Sequence, residues 1–190
     1  PLVSADILGV AAGAGFGASI GILLFGNGYV TQGLALIFGL AAIGFTYMIG
    51  GSGRNMPIFM LVLAGVVTSA LFNALISLTK FVADPEEKLP AITYWLMGSL
   101  GTASYRDLWT AGPIILVGML ILLALRWRIN LLTLPDEEAK SLGINVTRLK
   151  WLVIAGATLC TAAAVAVAGI VGWVGLIIPH IARMFVGSNN

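Results

Sequence analysis

All eight acidic residues of this chain lie outside its long apolar segments: Asp6, Asp84, Glu86, Glu87, Asp107, Asp136, Glu137 and Glu138 fall in loops or at segment ends. Between and around them run six apolar stretches, at about 7–25, 29–50, 57–79, 108–125, 149–169 and 174–186. A helix that crosses hydrocarbon needs about 20 mainly apolar residues, and fewer suffice where the segment is broken or buried against protein. An ordinary soluble domain carries about 25% charged residues; here 9% are charged and 59% hydrophobic. The expectation is an all-α integral membrane protein, one polytopic helical bundle over residues 1–190.

Composition also narrows the partners. A net charge of +2, with no basic run interleaved with aromatics, argues against nucleic acid. The single Cys160, inside an apolar run, excludes an internal disulfide and a cysteine-cluster metal site, and it reads as a small buried filler. No initiator Met and no charged n-region precede the first apolar run, so nothing resembles a signal peptide. Both ends are abrupt, as in a piece of something longer.

The first stretch repeats glycine every four residues, at Gly9, Gly13, Gly17 and Gly21, which predicts a helix face open to close approach by a neighbour. Gly13-Ala14-Gly15-Phe16-Gly17-Ala18 superficially fits a dinucleotide-binding fingerprint. It lacks the preceding strand and the acidic residue about 20 positions on that such a site needs. Gly26-Asn27-Gly28 predicts a tight turn, and Gly51 to Pro57 a flexible linker with Pro57 opening the next helix. In that third stretch Gly65, Ser69, Asn73 and Ser77 again recur every four residues. Either they pack and hydrogen-bond against a neighbouring helix, or they line a wet passage that Thr68 broadens. The alanine-rich fifth stretch predicts tight helix packing, and Pro179 breaks the sixth.

Two intervals have to leave the hydrocarbon. Residues 80–107 are polar, with an aromatic piece at Tyr94-Trp95-Leu96-Met97-Gly98 too short to span, which reads as an interfacial or partly re-entrant helix. Residues 134–143 form a charged island whose acids after Pro135 and glycine at 143 suit a short capped helix. With alternating spans, Arg54, Arg126, Arg128, Lys140, Arg148, Lys150 and Arg183 share one side, and Lys80, Lys88 and Arg106 the other. The richer side is expected to be cytoplasmic, which places 134–147 inside the cell and 80–107 outside.

No Gly-x-x-x-x-Gly-Lys-Ser/Thr phosphate loop occurs in the sequence, so these residues do not bind and split ATP by that route. His180 beside Pro179 reads as a polar group satisfying backbone freed by the proline rather than as a metal or haem ligand. The spans hold no carboxylate, which argues against proton-coupled transport and leaves the driving force to another chain.

Several stretches together resemble the FecCD-type permease family, membrane subunits of ATP-binding-cassette importers for iron-siderophores, haem, cobalamin and, in some members, molybdate or tungstate. They are Pro1-Leu2-Val3 with Asp6 to Val10 and Gly13-Ala14-Gly15; Leu61 to Val66; Tyr94 to Ser99; Ala139 to Gly143; and Gly172 to Arg183. The resemblance implies a type II importer fold, of which this chain is the middle, without the first two and last two of about ten spans. It implies a non-enzymatic pore subunit, without cofactor or metal site, in the cell inner membrane. The implied partners are a second permease copy, two cytoplasmic ATPase subunits and a periplasmic or surface substrate-binding protein. It further implies that Asp136, Glu137, Glu138, Ala139, Leu142 and Gly143 couple to the ATPase. Gly65, Ser69, Asn73 and Ser77 would line the pore, and Asn55, Met56, Pro57, Ile58 and Phe59 would lie at the cytoplasmic gate. The Leu-Pro that follows the coupling glycine in the wider importer pattern is missing here. From the residues alone, a self-contained secondary transporter or channel, or a structural membrane scaffold, would use the same glycine stripes and polar third span.

Overall fold

A computed structural model describes residues 8–51, 58–99, 101, 104–129 and 146–171, with isolated positions between 177 and 185. Six helices are described: α1 (Val10–Leu24), α2 (Gly28–Gly50), α3 (Ile58–Val82), α4 (Lys88–Met97), α5 (Tyr105–Ile129) and α6 (Val146–Ala168). Of these, α2, α3, α5 and α6 are long and apolar enough to cross a membrane, and α1 is a shorter apolar helix. The first five expected segments are thus present as helices; most of the sixth, at 174–186, lies outside the described residues.

Local chemistry sets the boundaries. The N–H groups of Phe25 and Gly26 both close onto the Gly21 carbonyl, with Gly26 at φ 63°, so α1 ends in a left-handed cap that costs glycine little. One residue on, the Asn27 side chain accepts from the Tyr29 N–H at 3.0 Å and starts α2. Asp84 accepts from the N–H groups of Glu86 and Glu87 ahead of α4. At the start of α5 the Asp107 carboxylate reaches back to the Ser104 N–H at 2.8 Å, half of a capping box. Pro113 sits inside α5 without ending it.

Helix α1 is the hub, packed on α2, α3, α4 and α6, while α5 packs mainly along α6. The glycine stripe explains how a short helix can hold this position. A methyl group added at Gly13 would fall 2.6 Å from the Phe38 carbonyl oxygen, one at Gly21 2.7 Å from the Thr31 Cα, and one at Gly17 would collide with the Leu34 carbonyl. The stripe therefore brings the α1 and α2 backbones together, as expected. Lipid is as apolar as leucine, so what drives this association is the close van der Waals fit. The buried residues where α1, α2 and α6 meet are small: Ala14, Ala18, Ala35 and Ala166. Alanine in α6 does what the sequence predicts, with Ala162, Ala163 and Ala166 all buried. Gly13 to Ala18 lies inside α1, a context unlike the strand-to-helix turn of a dinucleotide site.

Helix α4 descends into the bundle instead of lying across its end. Its first residue, Lys88, sits beside Gly26, whereas Leu96, two turns later, comes within 3.1 Å of a methyl built on Gly15. At the bottom of the descent Gly98 (φ 70°) and Gly169 (φ 71°) face each other, and the Ser99 N–H donates to the Ala168 carbonyl at 2.7 Å. Side chains at either glycine would enter the opposing backbone, which ties the ends of α4 and α6 together.

Candidate functional site

The polar stripe of α3 divides between two surroundings. A four-residue step turns a helix about 40° beyond a full circle, so three steps carry a line of residues about a third of the way round it. Gly65 lies on the packed face and is buried, and Ser69 is half-buried beside Gly9, the residue that precedes α1. Asn73 and Ser77 have rotated out and are exposed. The Ser77 hydroxyl donates to the Asn73 carbonyl at 3.0 Å, so its polarity is met within its own helix. The Asn73 amide has no such outlet and finds no hydrogen-bond partner among the described residues. Around it α3 presents Val66, Val67, Leu71 and Leu78, all exposed. A carboxamide on such a surface needs water or a polar partner beyond the described residues, since lipid offers it nothing.

Thr68 belongs elsewhere. Counted with the wet strip from sequence, it is fully buried, with its hydroxyl 3.0 Å from that of Thr46 on α2. Hydroxyls of Thr46 and Thr68 join α2 to α3 in the interior, so at this level the packing reading of the polar stripe holds.

The remaining expected sites are only bordered by the described residues. Asn55, Met56 and Pro57 lie outside them, Ile58 opens α3 and Phe59 is exposed. Asp136, Glu137, Glu138, Ala139, Leu142 and Gly143 also lie outside them, as do Gly172 to Leu176 and His180. The flanks of 130–145 are described. Helix α5 ends with Arg126 and Arg128, the Arg126 guanidinium lying 5.3 Å from the Trp127 ring centre. Helix α6 packs antiparallel to α5, and its early residue Trp151 stacks on Tyr47 of α2 at 3.9 Å.

At the opposite end, the Gln32 amide donates to Asp107 at 2.7 Å and ties α2 to the start of α5. A cavity of about 410 Å³ opens there, with Gln32, Glu87, Lys88, Trp95 and Asp107 in its wall. Sequence reading missed this tie because its members are 75 positions apart. The available signal was a glutamine just inside an apolar span, which demands a partner.

Among the described residues, a helical bundle with a hub of glycine and alanine and four helices long and apolar enough to cross a membrane is the architecture of a multi-pass membrane protein. The chain belongs to the FecCD transport family, whose pattern matches residues 1–190. It is 41% identical over 193 residues to the molybdate import system permease protein MolB of Haemophilus influenzae, covering all of this chain and 56% of that one. It is 36% identical to the cobalamin import system permease protein BtuC of Halobacterium salinarum, covering 51% of it. A solved structure described as an ABC transporter of metal-chelate type, captured inward-facing, superposes with a TM-score of 0.90 at 42% identity, over all of this chain and 61% of the other. The chain thus spans little more than half the length of the relatives it matches.

Proposed function

We infer that these residues form the middle of the membrane-spanning permease subunit of an ATP-binding-cassette importer. The transported substrate is a metal chelate, such as iron-siderophore, haem or cobalamin, or a metal oxyanion such as molybdate. Family membership supports this, as do relatives named for molybdate, cobalamin and hemin import. The structural observation that carries it is Asn73, an exposed carboxamide on an apolar helix without a hydrogen-bond partner among the described residues. In this reading Asn73 and Ser77 border the aqueous path, and a second copy of the permease closes its other side. Gly65 and Ser69 set the spacing of α3 from the hub, and Asn55 to Phe59 lie at the cytoplasmic gate.

The chain performs no chemistry in this role, and ATP is split on two cytoplasmic partner subunits. Those partners grip Asp136 to Gly143, and a periplasmic or surface binding protein delivers substrate to the end bearing α4. The segment 130–145 connects two antiparallel helices packed along their length, so displacement of the segment tilts α5 and α6 as one unit. The location is the cytoplasmic membrane, with 134–147 on the inner side and 80–107 on the outer.

The test is made in the full-length protein assembled with its ATPase. Gly143→Pro, or Glu137 and Glu138 both changed to Lys, is expected to leave ATP hydrolysis running while uptake is lost. Transport at the parental rate in both variants would remove the coupling assignment. Binding assays of the partner binding protein against ferric siderophore, haem, cobalamin and molybdate identify the substrate.

A further inference from the structure

At the end of the bundle from which 130–145 emerges, two contacts meet on adjacent residues of α2. Tyr47 stacks on Trp151 of α6, with ring planes 22° from parallel and centres 3.9 Å apart. Thr46, about 100° round the helix, turns the other way, into the interior. Its hydroxyl lies 3.0 Å from the Thr68 hydroxyl of α3, 2.8 Å from the Leu8 carbonyl and 3.0 Å from the Ala42 carbonyl of its own helix.

A threonine hydroxyl has one proton and two lone pairs. Thr46 can therefore accept from Thr68 while donating either to Leu8 or to Ala42. The junction has two arrangements with the same number of hydrogen bonds, one that includes the strand of chain leading into α1 and one that releases it. A small shift of α2 against α1 exchanges the two at the expense of the Leu8 contact alone, because the Thr46 hydroxyl keeps an acceptor in both.

Packing makes this junction a route and not only a contact. Helices α5 and α6, which flank 130–145, pack on each other, and α6 packs also on α1 and α2; α3 packs on α1 and α2. Movement of α6 therefore reaches α3 through the hub helices, and the Trp151–Tyr47 stack lies on α6 near the end where 130–145 joins it. We propose that Trp151–Tyr47 and Thr46–Thr68 are the joint through which displacement of the 130–145 segment is passed from α6 across α2 to α3. Tyr47, Thr46 and Thr68 are positioning residues in this role. The proposal rests on the importer reading above.

The experiment reads movement of α3 directly. In full-length protein carrying Asn73→Cys, with Cys160→Ala and any cysteine outside these residues also replaced, reconstituted with its ATPase, the rate of labelling at position 73 by a membrane-impermeant maleimide is compared without nucleotide and after trapping with ATP and orthovanadate. The parent is expected to show a nucleotide-dependent change in rate. Tyr47→Ala and Thr46→Val are each expected to reduce that change by roughly three- to tenfold, the factor that one aromatic stack or one buried hydrogen bond corresponds to. Tyr47→Phe and Thr46→Ser, which keep the ring and the hydroxyl, are expected to restore it. A merely structural role would lower the yield of folded protein and leave the change in rate intact, and that result, or a full change in Tyr47→Ala, overturns the joint. If the ATPase binds and the parent shows no change, the joint falls because α3 does not move. If the parent binds no ATPase, the importer reading itself falls, and the joint with it.

Discussion

Gly13 of α1 lies so close to Phe38 of α2 that a methyl group on the glycine would stand 2.6 Å from the phenylalanine's carbonyl oxygen. Helix backbones at that separation admit no side chain between them. Gly13→Leu or Gly17→Val is therefore expected to destabilise the bundle by about 3 kcal/mol or more, beyond ordinary overpacking, because the obstacle is backbone. Gly33 of α2 is the control: nothing lies within 4 Å of a methyl built there. Gly33→Ala is expected to be neutral or stabilising by up to about 1 kcal/mol. Thermal unfolding in detergent, followed by the loss of monodisperse protein, separates the two outcomes; equal effects would contradict the close-approach account.

Asn73 and Thr68 lie five residues apart on α3 in opposite surroundings, one exposed and one fully buried against Thr46. Asn73→Leu is expected to leave the unfolding temperature unchanged and to lower uptake severalfold. Thr68→Val should do the reverse at the level of stability, costing about 0.5–1.5 kcal/mol for the lost Thr46–Thr68 hydrogen bond, while Thr46 keeps its carbonyl acceptors. Uptake and melting measured on the same preparations decide this. If Asn73→Leu transports normally, the open face of α3 does not border the path.

The Gln32–Asp107 hydrogen bond at 2.7 Å joins α2 to the first turn of α5, and one of its partners is a carboxylate. A charge-assisted bond of this kind, partly buried, is worth about 1.5–3 kcal/mol. Gln32→Leu removes the tie and leaves the Asp107 contact to the Ser104 N–H in place. Its expected effect is a loss of about 1–2 kcal/mol, with a double-mutant cycle against Asp107→Asn showing coupling of at least about 0.5 kcal/mol. Additive effects would mean that the two side chains do not support each other in the membrane.

At the foot of α4, Gly98 and Gly169 both hold positive φ and each faces the other's backbone. Alanine at either site meets a strained conformation and a steric conflict together, so each single change is expected to cost about 2 kcal/mol or more. The local readout is hydrogen exchange at Ser99, whose N–H is held by the Ala168 carbonyl. Faster exchange there in Gly169→Ala, with α1 and α2 unaffected, is the expected result; unchanged protection would show that the clasp does not depend on the glycines.

Much of this architecture is legible in the chain itself. Apolar stretches of about 20 residues predict membrane helices, and the placing of every acid outside them agrees, because an unpaired carboxylate in hydrocarbon is costly. A four-residue glycine repeat predicts where two backbones touch, since glycine is the residue that leaves nothing between them, and Gly13 and Gly17 lie against α2 as that predicts. The Gly26-Asn27-Gly28 turn and the short descending helix at 88–97 follow from similarly local signals. Family membership was likewise carried by short stretches in a fixed order.

What the sequence could not decide is which neighbour each polar group would meet. A stripe read as one face, from Gly65 to Ser77, winds round the helix and ends in a different environment from the one in which it begins. Thr68 looks from sequence like part of the wet face, yet it is an interior group because Thr46, 22 positions away, supplies a partner. Tyr47 and Trp151, like Gln32 and Asp107, are ordinary residues until the fold sets them side by side. Apolar periodicity and glycine spacing are properties of single helices and can be counted along one chain. Partnership between side chains depends on how helices are rotated and displaced against each other, and tertiary packing alone sets those angles.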